Sequence, residues 1–291
     1  MGCWRFLLRV ILFTGLWLTA VAARSQTLPP VPGHGECAAI SARDPQLSPL
    51  TDLCRFARAY RQSLPNFVCD ETVSAHDDRP FNHLAPRVLT DVVTYADGEE
   101  NYSDISIDGV SASERRLSSR AGVPLITSGE FGNNLVALFR PPIAAQFQFV
   151  GERRLRGKPA LVFEFRLAAA TNTFWSLRDA SGTTNFPEYR GTVWIAAEPA
   201  SPEAVAGLLR MELQPVSLAP SFLIDSAQVT TDYAPVVLGE AGRFLLPTRS
   251  ETWACVRSEG EFAQVRCARN QLRFHGCRKF AATARILSDA R

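Results

Sequence analysis

The residues of this 291-residue chain that could do chemistry are few: four histidines, seven cysteines and some adjacent carboxylates. Asp77-Asp78 and Glu99-Glu100 are adjacent carboxylate pairs. Glycoside hydrolysis needs two carboxylates facing each other across a substrate, but adjacent residues on a strand point to opposite faces. His76 and His83 flank Asp77-Asp78, so a loose metal site is conceivable there; a solvated loop is the plainer reading. His34 stands among prolines and glycines, and His275, between Phe274 and Gly276, reads as an outward residue on a strand. Cys255, Cys267, His275 and Cys277 could together ligate zinc. No Cys-x-x-Cys nucleates such a site, and the spacing fits no zinc finger. The chain has no Gly-x-Ser-x-Gly elbow, Ser-x-x-Lys, His-Glu-x-x-His or phosphate loop. The expectation is a non-enzyme with no catalytic residue, no metal and no cofactor, with a hydrolase of unrecognised site as an alternative.

Cysteine usage speaks to compartment. Cys37, Cys54, Cys69, Cys255, Cys267 and Cys277 follow a segment, residues 1–22, that reads as a secretory signal peptide. Arg5 gives that segment a positive start, Phe6 to Ala20 is largely apolar, and Ala20-Val21-Ala22 supplies the small residues a signal peptidase reads. The apolar run between Arg9 and Arg24 is shorter than the ~20 residues a bilayer span needs, so no transmembrane segment is expected after cleavage. An even number of cysteines in an exported chain predicts three disulfides. Cys255 and Cys267 are expected to pair, because the residues between them can form a turn joining neighbouring strands. Localisation is then the periplasm or cell envelope. Of 31 basic residues, Arg5 and Arg9 leave with the leader, and the rest balance 29 acidic ones. A neutral chain has no electrostatic case for a nucleic-acid partner.

The elements that must position these residues follow from periodicity. Residues 23–46, with Pro29, Pro30, Pro32, Gly33 and Gly35, read as a flexible Pro/Gly-rich arm, and 47–291 as a single domain. Ser48-Pro49 reads as a helix N-cap followed by proline in the first turn. Leu50, Leu53, Ala57, Tyr60 and Leu64 then recur at helical spacing, with Arg58 off the apolar stripe. A second, short helix is expected from about Gly129 to Phe139, with Phe131, Leu135, Leu138 and Phe139 inward, stopped by Pro141-Pro142. Most of the rest alternates with period two. Strands are expected at 67–75, 88–96, 102–107, 189–196, 208–214, 227–233, 243–253 and 265–280, with Asp97-Gly98 as a hairpin turn. Phe147 and Phe149, then Leu161, Phe163, Phe165 and Leu167, put one dry face opposite a wet one. No βαβ alternation occurs, so the sheet is expected to be antiparallel.

About ten strands with one dry face exceed what two ordinary helices can cover, so the sheet must curl, stack or leave a cavity. Tyr189-Arg190-Gly191-Thr192-Val193-Trp194-Ile195 is followed by Leu209-Arg210-Met211-Glu212, Thr231-Asp232-Tyr233 and Phe244-Leu245-Leu246-Pro247. This order resembles the outer-membrane lipoprotein-sorting proteins and the periplasmic lipoprotein carriers. Leu64-Pro65-Asn66-Phe67-Val68-Cys69 also resembles the start of a group of uncharacterised exported bacterial proteins. The carrier resemblance implies a mainly β, α+β fold: a strongly curved, half-barrel-like antiparallel sheet with an N-terminal helix and a short helical lid. It implies an apolar or lipidated ligand, a lipid or a lipidated protein, in the concavity. Phe147, Phe149, Leu161, Phe163, Phe165, Trp194 and Met211 are the expected apolar lining. The alternative is a structural or interaction protein of the envelope with a filled core.

Overall fold

The computed structural model describes residues 35–42, 44–77, 86–111, 129–179, 181–198, 207–257 and 265–280. The expected signal peptide and the first part of the expected arm lie outside them, as do Asp78 and His83.

Three helices and thirteen strands are described. The helices are α1 (Gly35–Ser41), α2 (Ser48–Ser63) and α3 (Asn133–Leu138). The strands are β1 (Phe67–Asp77), β2 (Arg87–Ala96), β3 (Glu99–Ile107), β4 (Val110–Ser111), β5 (Gln146–Leu155), β6 (Lys158–Leu167), β7 (Leu177–Arg178), β8 (Thr184–Asn185), β9 (Glu188–Ala196), β10 (Leu208–Val216), β11 (Ile224–Val237), β12 (Arg243–Arg257) and β13 (Val265–Lys279). Eleven strands form one antiparallel sheet in the order β4-β3-β2-β1-β13-β12-β11-β10-β9-β6-β5, while β7 and β8 pair separately. Within the large sheet, two meanders, β1 to β4 and β5 to β13, meet where the last strand pairs with the first. That pairing runs from Phe67 opposite Lys279 to Asp77 opposite Ala268.

The sheet is open, with β4 and β5 at its edges, and it is strongly curved. Laid flat, β3 and β5 would stand nine strand spacings apart, roughly 43 Å at the usual separation. Glu100 of β3 accepts the backbone N–H of Phe131 at 3.2 Å, while the Phe139 ring stacks on Phe147 of β5 at 5.6 Å. The chain from Phe131 to Phe139, mostly the short helix α3, therefore reaches from one end of the sheet to the other. Only a sheet bent around that helix allows this, so the helical side is the concave one.

Both helices cover this inner face. Leu50, Leu53, Ala57 and Tyr60 of α2 are buried in the main core with Val93, Phe131, Leu135, Val193 and Leu246. Polar contacts fix the helix: the Tyr60 hydroxyl donates to the Leu245 carbonyl, and Arg61 donates to the Gly98 carbonyl at 2.8 Å. Pro141 and Pro142 follow α3, which starts four residues later and ends one residue earlier than the expected Gly129 to Phe139.

The arm expected over 23–46 is corrected in its last part. Residues 35–41 form α1, and Asp44 caps a short turn over 45–47 by accepting from the Gln46 N–H at 2.9 Å. A disulfide joins Cys37 to Cys54 of α2. Two expectations change with it. Ser48 is the first helical residue rather than the cap, because the preceding turn already satisfies the entering chain. Arg58 is buried rather than exposed, since α1 covers it and Glu36 accepts its hydrogen bond at 2.7 Å.

Candidate functional site

The inner face at the β5 end is an aromatic row. Phe147 stands opposite Phe165 and Phe149 opposite Phe163, with ring centroids 6.4 and 5.3 Å apart. Phe163 continues across Val193 of β9 to Met211 of β10. Gly191 is required here: a Cβ would lie 2.5 Å from the Phe165 ring and closer still to the Glu212 carbonyl. The glycine of the Tyr-x-Gly motif thus lets the Phe165 ring approach the β9 backbone closely. Trp175 packs at 5.9 Å from Phe165 and 5.3 Å from Tyr189. Its indole N–H donates to Asn134 of α3 at 3.2 Å, tying the short helix to the β6–β9 connection.

Burial is graded along this row. Phe163, Phe165 and Met211 are 0%, 3% and 2% exposed, whereas Phe147, Phe149 and Leu161 are only partly buried. The structure therefore brings together six of the seven expected lining residues. Trp194 is the exception and a correction: it stands opposite Val162 and Arg210 on the outer face, and its indole donates to Thr192 at 2.9 Å. Tyr189, Val193 and Ile195 occupy the inward positions of β9, so strand alternation turns Trp194 outward.

At the other end of the concavity lies a group the sequence reading missed. Glu71 of β1 and Asp91 of β2 are directly opposed, and Glu71 is 4% exposed. Glu130, at the approach to α3, is 1% exposed. Glu100 of β3 accepts the N–H groups of Gly129 and Phe131 at 3.0 and 3.2 Å and the Tyr102 hydroxyl at 3.1 Å. Burial raises the Glu71 carboxyl far above the carboxylate range, and the charges of Asp91 and Glu130 raise it further. Burial also raises Asp91, partly offset by its hydrogen bond with Glu71. Glu100 is pushed up to about 7 by burial and by the Glu130 charge, despite the hydrogen bonds it accepts. Tyr60, Tyr95, Tyr102 and Tyr233 surround these acids, each phenol raised chiefly by burial. Signals for two of the acids are present in the strands: Glu71 sits among inward Phe67, Cys69, Val73 and Ala75, and Asp91 among inward Leu89, Val93 and Tyr95.

The outer face is polar. Gln146, Arg166, Arg190 and Gln214 form one cross-strand row, and Gln148, Glu164, Thr192 and Glu212 the next. These rows line an open groove of about 590 Å³. Asp232, farther along this face, is 5% exposed and accepts from Arg156 at 2.5 Å and Arg210 at 2.8 Å. No cluster able to hold a metal ion occurs among the described residues. Cys255, Cys267 and Cys277, weighed above as zinc ligands, are in disulfides: Cys255–Cys267 as expected, and Cys69–Cys277. His275 is exposed and lies 3.2 Å from the Thr72 hydroxyl. No helix of the described residues is long and apolar enough to cross a membrane.

No family model and no curated protein matches this chain. Solved structures similar to it include an outer-membrane lipoprotein-sorting protein domain from Vibrio parahaemolyticus, at 9% identity over 77% of this chain and 91% of that one, with a TM-score of 0.37. A LolA superfamily protein from Nitrosomonas europaea matches at 10% identity over 79% and 93% of the two chains, TM-score 0.31. The Mycobacterium tuberculosis lipoprotein LppX matches at 12% identity over 82% and 99%, TM-score 0.29.

Proposed function

We propose that this is an exported, non-enzymatic binding protein that takes an apolar or lipidated ligand against the inner face of the sheet, between α3 and β5. The observation that carries the reading is the burial gradient of the aromatic row. Phe147, Phe149 and Leu161 are left half-open at the sheet edge beside a six-residue helix, while the row they continue is dry. An apolar strip left open at the margin of a core favours an apolar partner. A helix this short holds its place by packing rather than by its own hydrogen bonds, so a chain that replaces the Phe139–Phe147 stack can displace it. Three disulfides fit an oxidising compartment such as the periplasm or envelope.

A second reading, a ligand-free structural protein of the envelope, is favoured by the full burial of Phe163 and Phe165. One variant separates the two. If the row is filled core, Phe163→Ala should cost about 3–5 kcal/mol, and neither parent nor variant should bind a fluorescent fatty-acid probe. If the row is a ligand wall, the parent binds the probe, and the variant loses less stability but binds more weakly. Denaturant titration and fluorescence titration give the two quantities. A large stability loss together with no probe binding by the parent overturns the proposed function.

A further inference from the structure

We infer that the groove on the outer face, across β5, β6, β9, β10 and β11, is a binding site for an uncharged oligosaccharide, with Trp253 as the stacking platform at its β12 margin. It lies on the opposite face of the sheet from the apolar row, so it does not depend on the function proposed above.

The groove encloses about 590 Å³, within the range of small-ligand clefts. Five neighbouring strands contribute to it, so its floor crosses four strand spacings, roughly 19 Å. Its charged lining is Glu164, Arg166, Arg190 and Glu212, two of each sign, and most of that charge is already engaged. Arg166 forks onto Glu188 with two bonds of 2.8 Å, and Arg190 lies 3.6 Å from the same carboxylate. Glu212 accepts from the Thr192 hydroxyl at 2.7 Å and lies 3.6 Å from Arg210. A charged ligand would have to displace these partners, and a lining without net charge gives it no compensating attraction.

What the groove leaves open is neutral. Gln146, Gln148, Gln214 and Gln228 are exposed, and their side chains make no hydrogen bond among the described residues. Each amide offers two N–H donors and a carbonyl acceptor, the complement of neighbouring hydroxyls or of an acetamido group. Gln228 stands opposite Trp253 of β12, and directly opposed residues share a face. Among the described residues, Trp175 is buried and Trp194 half-buried, whereas Trp253 is 37% exposed. An indole left in water beside unengaged amides is an amphipathic surface. A pyranose ring matches it, with hydroxyls around its rim and C–H groups on its faces. An uncharged peptide is the competing occupant.

The test is titration of the intact protein, by calorimetry and ligand-observed NMR. The probes are maltotetraose, cellotetraose and the tetramer of N-acetylglucosamine, against a blocked tetraalanine and a tetramer of galacturonate. At least one neutral sugar should bind more tightly than both comparison ligands, by about tenfold or more. Raising the salt from about 0.05 to about 0.5 M should alter that affinity by less than about twofold, since no ion pair forms. Trp253→Ala should weaken it by about threefold to tenfold. Gln214→Ala should weaken it by about fivefold, the worth of one neutral hydrogen bond. Both positions are exposed, so both variants should fold, and binding of the fluorescent fatty-acid probe should be unchanged in each. Retention of the protein on insoluble cellulose or chitin supports the site as one for a polymer, and tetramer binding without retention supports a free chain. The inference is overturned if no neutral tetramer binds, if the peptide or the galacturonate tetramer binds more tightly, or if neither substitution weakens binding. The fatty-acid probe reports the inner face separately, so failure here leaves the proposed function standing.

Discussion

Glu100 shows how one buried side chain can set the pH response of the whole protein. Burial pushes its carboxyl group up to about 7, well above the ordinary carboxylate range. The folded state therefore holds the proton through a window in which the unfolded chain has lost it. Stability is fullest below the unfolded value and falls as pH rises through the folded one. Glu71 and Asp91 are shifted the same way and add to the trend. Asp179 and Glu188 are lowered instead, so their contributions fade only on acidification below the usual carboxylate range. The unfolding free energy should therefore drop by about 3 kcal/mol or more between about pH 5 and pH 8. Glu100→Gln should flatten the slope, by urea titration at both pH values. A stability that rose over this interval would contradict the buried cluster. The acids were only half legible in the sequence. Glu71 and Asp91 break the alternation of their own strands, and that is visible. Their convergence with Glu130 and Tyr233 depends on long-range pairing that no local period reports. Trp194 is the opposite case: its outward position follows from Tyr189, Val193 and Ile195, and weighing the residue as an aromatic alone obscured it.

Elements succeed where their own period decides and fail where a partner decides. The α2 stripe was legible because Leu50, Leu53, Ala57 and Tyr60 recur at helical spacing. α1 was not, since proline and glycine stand beside it and its anchor is a disulfide to the next helix. That helix buries Arg58, so a charge reversal at Arg58 is no neutral control for the docking of α2. Arg55, which is exposed and pairs with Asp52 at 2.7 Å, is the control. Leu53→Asp should cost several kcal/mol, about 3 or more, because it buries a carboxylate against an apolar surface. Arg55→Gln should change stability by about 0.5 kcal/mol at most. If the two variants unfold alike in denaturant, α2 is not docked. The contact between α2 and α3 is a bare backbone under a ring. Gly132 has a φ of +113°, and a Cβ there would lie 2.4 Å from the Tyr60 ring. Gly132→Ala therefore meets both a left-handed backbone penalty of about 1–2 kcal/mol and a clash. Amide exchange in 133–138 should accelerate more than exchange in the β9–β12 strands. Uniform acceleration would mean that α3 is no separate cover.

For the molecule as a whole, the decisive junction is the one least visible in the sequence. Each meander is built from neighbours in the chain, and its turns, such as Asp97-Gly98, announce themselves. The pairing of β1 with β13 joins the two meanders across most of the chain, and no turn signals it. The Cys69–Cys277 disulfide sits on this junction with a sequence separation of 208, whereas that of Cys255–Cys267 is only 12. Loop-closure entropy grows with the length enclosed, giving about 5 kcal/mol for the long loop against about 3 for the short one. Removing the pair Cys69→Ser and Cys277→Ser should thus lower stability more than removing Cys255→Ser and Cys267→Ser, measured by denaturant titration of each double variant. The difference should be larger if the unfolded chain lets the two meanders separate, because the disulfide is then their remaining tether. It should vanish if the denatured chain keeps β1 near β13, since the tether then restrains nothing. Equal losses in the two double variants would therefore locate residual structure at this junction. Greater loss at Cys255 and Cys267 would mean that strain or local packing, not chain topology, governs how the sheet is held.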